Sequence, residues 1–264
     1  MYILCASHID SEERLMALCR SLDSVINARN PSEDTILMSI SCVPNLQKHL
    51  ESFVEQYKKD QIYILQQKEQ LSQFQHYTEL QKHLAKMPPS WCMFFDDDDY
   101  SHPTRFDMYR KHMQNKPDIC SIYMAHAQKS ICHPSAWRMT LEKLDEMGDI
   151  SDGGQEYYMF AVTTDTLHYF CSNVGSDILA IPECDLLFRN YIRCLPCLLA
   201  YLNDCNTWLY AYTKTVTPVF KSIRVEYLTR TWRNIVIPRL LNVYHPLFDE
   251  LKNTRPHYEL LESQ

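Results

Sequence analysis

Glycine is nearly missing, at 4 of 264 residues. That excludes the glycine-rich cradles that hold phosphates through backbone amides, G-x-G-x-x-G and the Walker A run. Neither a Rossmann dinucleotide enzyme nor a P-loop NTPase is written here. Long apolar runs are missing as well, and no stretch approaches the roughly 18 residues of a membrane span. The N-terminal Met1-Tyr2-Ile3-Leu4-Cys5-Ala6-Ser7-His8 has no basic segment and turns polar at once. It reads as a strand and not as a secretory leader. The one candidate N-glycosylation site, Asn30-Pro31-Ser32, is blocked by its proline. Positive charge is in deficit: 26 Lys and Arg against 33 Asp and Glu leave −7, which argues against a nucleic-acid partner. These absences predict a soluble protein of the reducing cytoplasm whose 11 cysteines are mostly buried thiols. Cys194-Leu195-Pro196-Cys197, with Cys205 downstream, lacks the second matching pair that a zinc site needs.

What is present is enough for a packed core: 45% hydrophobic and 12% aromatic residues. The first half alternates short apolar runs with helical stripes. Residues 2–7, 36–40, 62–65 and 91–95 read as strands. Leu15, Leu18, Cys19, Leu22 and Ile26 mark a first helix, with Asp10 and Glu13 at capping-box spacing ahead of it. Leu46, Leu50, Phe53, Val54 and Tyr57 mark a second, and 76–86 a third, ended by Met87-Pro88-Pro89. Strand–helix alternation of this kind predicts an α/β fold with a mainly parallel central sheet flanked by helices, binding ligand at the carboxyl ends of its strands. In the second half, 118–131, 157–171 and 207–217 read as strands and 186–192 as a helix. Met147-Gly148-Asp149 and Ser151-Asp152-Gly153-Gly154 read as the most flexible loops. We divide the chain into a domain over 1–217 and a C-terminal helical extension over 218–264. Residues 223–241 form an amphipathic helix there, packed on the domain with arginines outward. A peripheral membrane contact through those arginines is the less favoured reading.

Phe94-Phe95-Asp96-Asp97-Asp98-Asp99-Tyr100 places four adjacent carboxylates directly after a strand. Adjacent negative charges repel, so such a run is either fully solvated or opposed by a cation. Oxygen ligands of this kind suit Mg²⁺ or Mn²⁺, shared with substrate phosphates. The plainer reading is an acidic cap on the helix that follows His102-Pro103.

The segment Phe95-Asp96-Asp97-Asp98-Asp99-Tyr100-Ser101-His102-Pro103-Thr104-Arg105 resembles the D-x-D region of the GT-A glycosyltransferases, especially their large inverting family. The opening strand, followed by a helix through Cys19-Arg20-Ser21-Leu22, fits the same family. Pro182-Glu183-Cys184-Asp185-Leu186-Leu187-Phe188-Arg189 is similar to the segment that supplies that family's catalytic base, with Pro182 standing where the first acid is expected. More loosely, the chain is similar to soluble glycosyltransferases encoded by large algal viruses. The resemblance spans about residues 2–212. It implies a nucleotide-binding N-terminal half and an acceptor-binding C-terminal half.

The implied reaction moves a sugar from a nucleoside diphosphate, UDP ahead of GDP, to an acceptor hydroxyl on a glycan. Asp96, Asp98 and Asp99 are the metal candidates. Asp98 is favoured as direct ligand and Asp96 faces ribose and metal waters, with Asp97 and Asp99 as the alternative pair. Glu183 is the candidate base and Asp185 the second. Ala6, Ser7, His8, Arg14, Gln66, Asp96 and Asp97 are expected to hold the nucleotide, with Ser39, Ser41 and Gln67 nearby. Gly154, Tyr158 and Trp208 are candidates for contact with donor or acceptor sugar. His245 and His257 are candidate extra metal ligands, and Trp137 and Tyr212 candidate sugar platforms. Two other classes stay open. One is a non-catalytic nucleotide-sugar or glycan-binding module of the same fold. The other is a sugar-nucleotide phosphohydrolase or nucleotidylyltransferase, disfavoured by the late position of the acids and the scarcity of glycine.

Overall fold

A computed structural model describes residues 1–58, 61–113, 121–125, 127–132, 149–152, 157, 160–193, 197–201, 208–212 and 227–241. The first half follows the alternation read from the sequence. β1 (Tyr2–Ile9), α1 (Glu12–Ala28), β2 (Thr35–Cys42), α2 (Gln47–Tyr57), β3 (Ile62–Gln66), α3 (Gln73–Leu84) and β4 (Trp91–Phe94) come in that order. β5 (Tyr100–Ser101), α4 (Arg105–Met113), β6 (Ser121–Ala125), β7 (Ala127–Cys132), β8 (Asp149–Asp152) and β9 (Phe160–Thr163) follow. The remainder is α5 (Thr164–Asn173), α6 (Ser176–Leu179), α7 (Cys184–Arg193), β10 (Cys197–Tyr201), β11 (Trp208–Tyr212), a helical stretch over 227–231, a π turn (Trp232–Val236) and α8 (Ile237–Leu241). No helix among the described residues is long and apolar enough to cross a membrane.

The main sheet has seven strands in the order β10-β6-β9-β4-β1-β2-β3. All run parallel except β9, which is antiparallel to both its neighbours β4 and β6. Side chains alternate across the sheet with period two, and the core divides accordingly. Tyr2, Leu4 and Ala6 of β1, Leu37 of β2 and Cys92 and Phe94 of β4 face α3, α5 and α7. Ile3, Cys5 and Ile9, Ile36, Met38 and Ile40, and Met93 and Phe95 face α1, α2 and α4. This parity fixes where each later residue points.

Several local readings are corrected. The cap of α1 is Ser11, whose Oγ accepts from the Arg14 amide at 3.3 Å, and not the Asp10–Glu13 pair. α3 starts three residues earlier than the stripe suggests because Ser72 and Gln75 close a full capping box. The expected long strand over 118–131 is two strands: β6 joins the main sheet and β7 a second sheet, ordered β5-β11-β7-β8. The expected strand over 157–171 stops at Thr163, whose Oγ1 accepts from the Thr166 amide and starts α5. Leu167, Phe170 and Cys171 there carry helical spacing despite their strand-like composition. Asp149–Asp152, read as loop, is β8, paired with β7. The strand expected over 207–217 is described as β11, and residues 213–217 lie outside the described residues.

Leu228, Trp232, Val236 and Leu240 recur every four residues and join the core on the α3–α5–α7 side. Arg230 and Arg233 are exposed. Arg239 bonds the Val174 carbonyl at 2.5 Å and Asp177 at 2.6 and 3.0 Å. Gly175 makes room for that clasp: its φ is +91°, and a Cβ there would lie 2.6 Å from Arg239 Nη1. Trp232 is 1% exposed, so Trp232→Ala is expected to lower stability by about 3–5 kcal/mol. A urea midpoint that barely moves would show that this segment does not share the domain's core.

Candidate active site

Parity splits the acidic run. Asp96 continues the Cys92–Phe94 series toward α3 and α7, whereas Asp97 continues the Met93–Phe95 series toward α1. Asp97 therefore meets α1: Arg14 donates to it through Nε and Nη2, both at 2.8 Å. Ser7 Oγ of β1 donates to it as well. This two-pronged pairing leaves Asp97 2% exposed with its charge opposed. Asp97 and Arg14, both expected to touch nucleotide, satisfy one another.

Asp96 meets the other face. Its Oδ1 accepts from Tyr157 Oη at 2.5 Å and Gln73 Nε2 at 3.3 Å. Gln73 also donates to Tyr157 Oη at 2.8 Å, and Tyr77 Oη lies 3.2 Å from Tyr157 Oη. Burial pushes the Asp96 carboxyl up to about 8. Tyr157 opposes that rise, while Asp98, Asp97 and Asp185 add to it.

Asp99 is 4% exposed, and neither carboxylate oxygen has a hydrogen-bond partner among the described residues. Burial, followed by Asp98 and Asp96, holds it well above the usual carboxylate range, with Arg105 pulling the other way. A buried carboxylate without a donor is costly as an anion, so this oxygen pair accepts either a proton or a cation. Arg105, the arginine of H-P-x-R, donates to the Phe94 carbonyl at 2.8 Å and to Ser101 Oγ at 3.2 Å. It thus ties the end of β4 to β5, and the acids hang between the two sheets. Ser21 of α1 donates to the Asp96 carbonyl at 2.7 Å and braces the same loop. Among the described residues, no three His, Cys, Asp or Glu side chains converge as a ready-made metal cage. Mg²⁺ and Mn²⁺ sites completed by substrate phosphates need only one or two carboxylates. Asp99, whose oxygen pair has no hydrogen-bond partner among the described residues, fits such an ion as one carboxylate of a site of that kind.

The downstream acids lie at the start of α7. Glu183 precedes the helix and its carbonyl accepts from the Leu186 amide at 3.1 Å; Asp185 is in the first turn. Phe188 anchors the helix, with its ring 5.1 Å from Phe74, 5.9 Å from Phe94 and 5.0 Å from Phe170. That packing brings Asp185 near enough for its charge to raise Asp96. Arg189 is buried on the same helix.

The residues expected after the first strands form a connected set. His8 Nδ1 lies 2.8 Å from Ser41 Oγ, and Ser41 Oγ lies 3.1 Å from Nε2 of His76 on α3. His76 Nδ1 lies 2.8 Å from Ser39 Oγ, which accepts from Gln67 Nε2 at 3.0 Å. Gln66 is exposed and accepts from Gln47 at 3.3 Å. Ala6 is buried in the sheet. Gly154, Tyr158, Trp137, His245 and His257 lie outside the described residues, as do Cys194 and Cys205; Trp208 and Tyr212 are placed only as residues of β11. Sequence reasoning missed Gln73, Tyr77, Tyr157 and His76. The signal for Gln73 was the Ser72–Gln75 capping box, which puts it at the helix end facing the acids.

No protein-family model matches the chain, and no curated protein matches its sequence. Solved structures do match in fold. S. aureus TarS residues 1–349 in complex with UDP-GlcNAc superposes with a TM-score of 0.57 at 11% identity, covering 100% of this chain and 76% of that one. The mannosyltransferase PcManGT of Pyrobaculum calidifontis, in complex with GDP-Man and Mn²⁺, gives 0.53 at 10% identity, covering 97% and 68%. Against the longer TarS structure the TM-score is 0.53, and the chain spans half of that protein. The fold is the α/β arrangement of these structures, as the sequence reading expected.

Asp96 and Asp99 retain protons in the folded chain that ordinary carboxylates release above about pH 4. The folded state then binds more protons than the unfolded one, so stability from these groups is present up to about pH 4 and falls as the pH rises, for Asp96 through about 8. Without divalent ions, urea midpoints should drop from about pH 5 to about pH 8. Asp99→Asn should raise the midpoint at the alkaline end and flatten the slope. A midpoint that climbs with pH in both chains contradicts this account.

Proposed function

We propose that the chain is a metal-dependent glycosyltransferase that moves a sugar from a nucleoside-diphosphate sugar, UDP ahead of GDP, to a hydroxyl of a glycan, with inversion. The observation that carries the reading is the buried, partnerless carboxylate of Asp99. It sits in an acidic loop at the carboxyl edge of the sheet, and the charge of a second acid, Asp185 of α7, acts on Asp96 of that loop. The fold shared with structures holding UDP-GlcNAc and GDP-Man supports it. Residues 1–217 form the transferase domain in this reading and 218–264 an extension.

Asp98 and Asp99 would hold Mn²⁺ or Mg²⁺, with Asp96 as the further candidate. The ion, when bound, supplies positive charge against the leaving diphosphate. Tyr157 and Gln73 hold Asp96 on the α3–α7 face, and Arg14 holds Asp97 on the α1 face. Arg105 fixes the loop's two ends, so the acids are in place before donor arrives. The acceptor hydroxyl loses its proton to a carboxylate on α7 as its oxygen attacks the sugar's anomeric carbon and the diphosphate departs. Both Glu183 and Asp185 stand at the helix start. The electrostatic reach of Asp185 to Asp96 moves it ahead of Glu183 as the base.

Two measurements test this. With saturating Mn²⁺ and a UDP- or GDP-sugar at about 100 times its Kd, the chain should gain about 2.7 kcal/mol of stability, and Asp98→Ala should lose the metal-dependent part. Full stabilisation of Asp98→Ala removes Asp98 from the ligand set. Asp185→Asn should lower turnover of a donor that the unaltered chain uses by about 10²- to 10⁴-fold, with donor binding retained. If Glu183→Gln shows that loss instead, the base is Glu183. Absence of both turnover and nucleotide-linked stabilisation favours a binding module.

A further inference from the structure

β3 ends the main sheet, with β2 on its inner side and no strand on its outer side among the described residues. An open edge presents unpaired N–H and C=O groups, and proteins guard such edges with a charge, a proline or a bulge. Ile62-Tyr63-Ile64-Leu65-Gln66 has no charge and no proline, and its register with β2 runs unbroken. Tyr63 is 54% exposed on it. The bonds to β2 settle which backbone groups are open. The Ile36 N–H donates to the Gln61 carbonyl at 2.8 Å, and the Gln67 N–H donates to the Ile40 carbonyl at 2.7 Å. Successive residues of a strand turn these groups to opposite edges. Tyr63 and Leu65 therefore bond toward β2, and Ile62, Ile64 and Gln66 point theirs outward.

This set is complementary to itself. In an antiparallel pair, opposed residues of the outward kind exchange both their hydrogen bonds. A two-fold axis at Ile64 sets that residue against its own copy and Ile62 against Gln66 on either side, so every outward group of the strand is used. Tyr63 of one copy then faces Leu65 of the other, in the closer kind of pair, on the side of the sheet that carries α3. An aromatic ring against an aliphatic side chain is a favourable cross-strand pair. The flanking charges agree with the same axis. Asp60 and Lys68 stand four residues before and after Ile64, and Lys59 and Glu69 five, so each acid is matched in sequence to a lysine of the second copy. Other axes do worse. One at Tyr63 uses only two of the three outward residues and sets exposed Lys58 against exposed Lys68; one at Leu65 sets Ile62 against Lys68.

We infer that the outer edge of β3 is an interaction surface for a second copy of this chain, which adds its own β3 in antiparallel register about Ile64 and joins two seven-stranded sheets edge to edge. Such a contact uses the same patch on both chains and closes at two. Because the strands run in opposite directions across the axis, the carboxyl edges of the two sheets face opposite ways, and the two acidic loops lie at opposite ends of the joined sheet. The inference does not depend on the transferase reading.

Sedimentation and amide exchange on the full chain test it. A ladder this short belongs to the weak class of interface, so the chain should sediment as a dimer at about 100 µM and as a monomer near about 1 µM. Over the same range the amides of Ile62, Ile64 and Gln66 should pass from fast to slow exchange, while those of Tyr63 and Leu65, bonded to β2, stay slow throughout. Ile64→Pro removes an outward N–H without touching the β2 ladder and should be monomeric at about 100 µM. If that variant does not fold, Tyr63→Lys, an exposed substitution, should weaken association by about tenfold or more. A monomer at every concentration overturns the inference. A dimer that survives both substitutions places the interface elsewhere and overturns it as well. Outward amides that are slow at every dilution show that a segment of the same chain covers the edge, and species larger than a dimer show a head-to-tail contact; either result overturns it.

Discussion

Four carboxylates in succession cannot all stay charged in a half-buried loop unless each finds something to oppose it. Much of the molecule near the sheet's carboxyl edge is arranged around that constraint. Arg14 reaches from α1 to grip Asp97 with two hydrogen bonds, and Ser7 adds a third. Tyr157 and Gln73 supply donors to Asp96. Arg105 lends Asp99 its field while its own hydrogen bonds go to Phe94 and Ser101. After these are placed, the oxygen pair of Asp99 remains without a donor among the described residues. The loop is thus only partly compensated by the described residues.

The division follows from strand geometry more than from the acids themselves. A strand turns alternate side chains to opposite faces, so a run of identical residues leaving β4 is sorted into two environments. The α1 face has a cation ready, and Asp97 becomes a structural anchor there. The α3–α7 face has hydroxyls, an amide and a second acid, and Asp96 becomes part of a titrating cluster. Asp97→Asn and Asp96→Asn are chemically the same substitution, yet the first removes a satisfied ion pair and the second relieves repulsion.

This sorting also separates what the sequence could reveal from what it could not. Apolar periodicity located β1 to β4 and their helices because burial on both faces demands it. The acidic run stood out because repulsion makes it improbable without cause. Asp97's pairing with Arg14 was hidden because 83 residues separate them and no local pattern records such a contact. Tyr157 was hidden by its neighbour: Tyr157 and Tyr158 are identical in composition terms, and only the fold shows that Tyr157 reaches Asp96. The second sheet escaped notice because its strands are short and far apart in sequence. β6 and β7 are separated by one residue, so they read as a single run. Likewise 164–171 carried enough aromatic and β-branched residues to resemble a strand, until Thr163 capped it as a helix.

The aromatic cluster links the two acidic segments. Phe94, Phe188, Phe74, Tyr77 and Tyr157 pack edge to face or tilted around one another. The cluster touches β4 just before the acids, α7 just after Asp185, and α3 just after Gln73. Rigid packing of this kind transmits displacement instead of absorbing it. A shift of α7 would move Asp185 and, through Phe94 and Tyr157, disturb the hydrogen bond that orients Asp96. The apolar core is therefore part of the site's electrostatics: it fixes the separation of two carboxyl groups whose mutual repulsion, when both are charged, depends on distance.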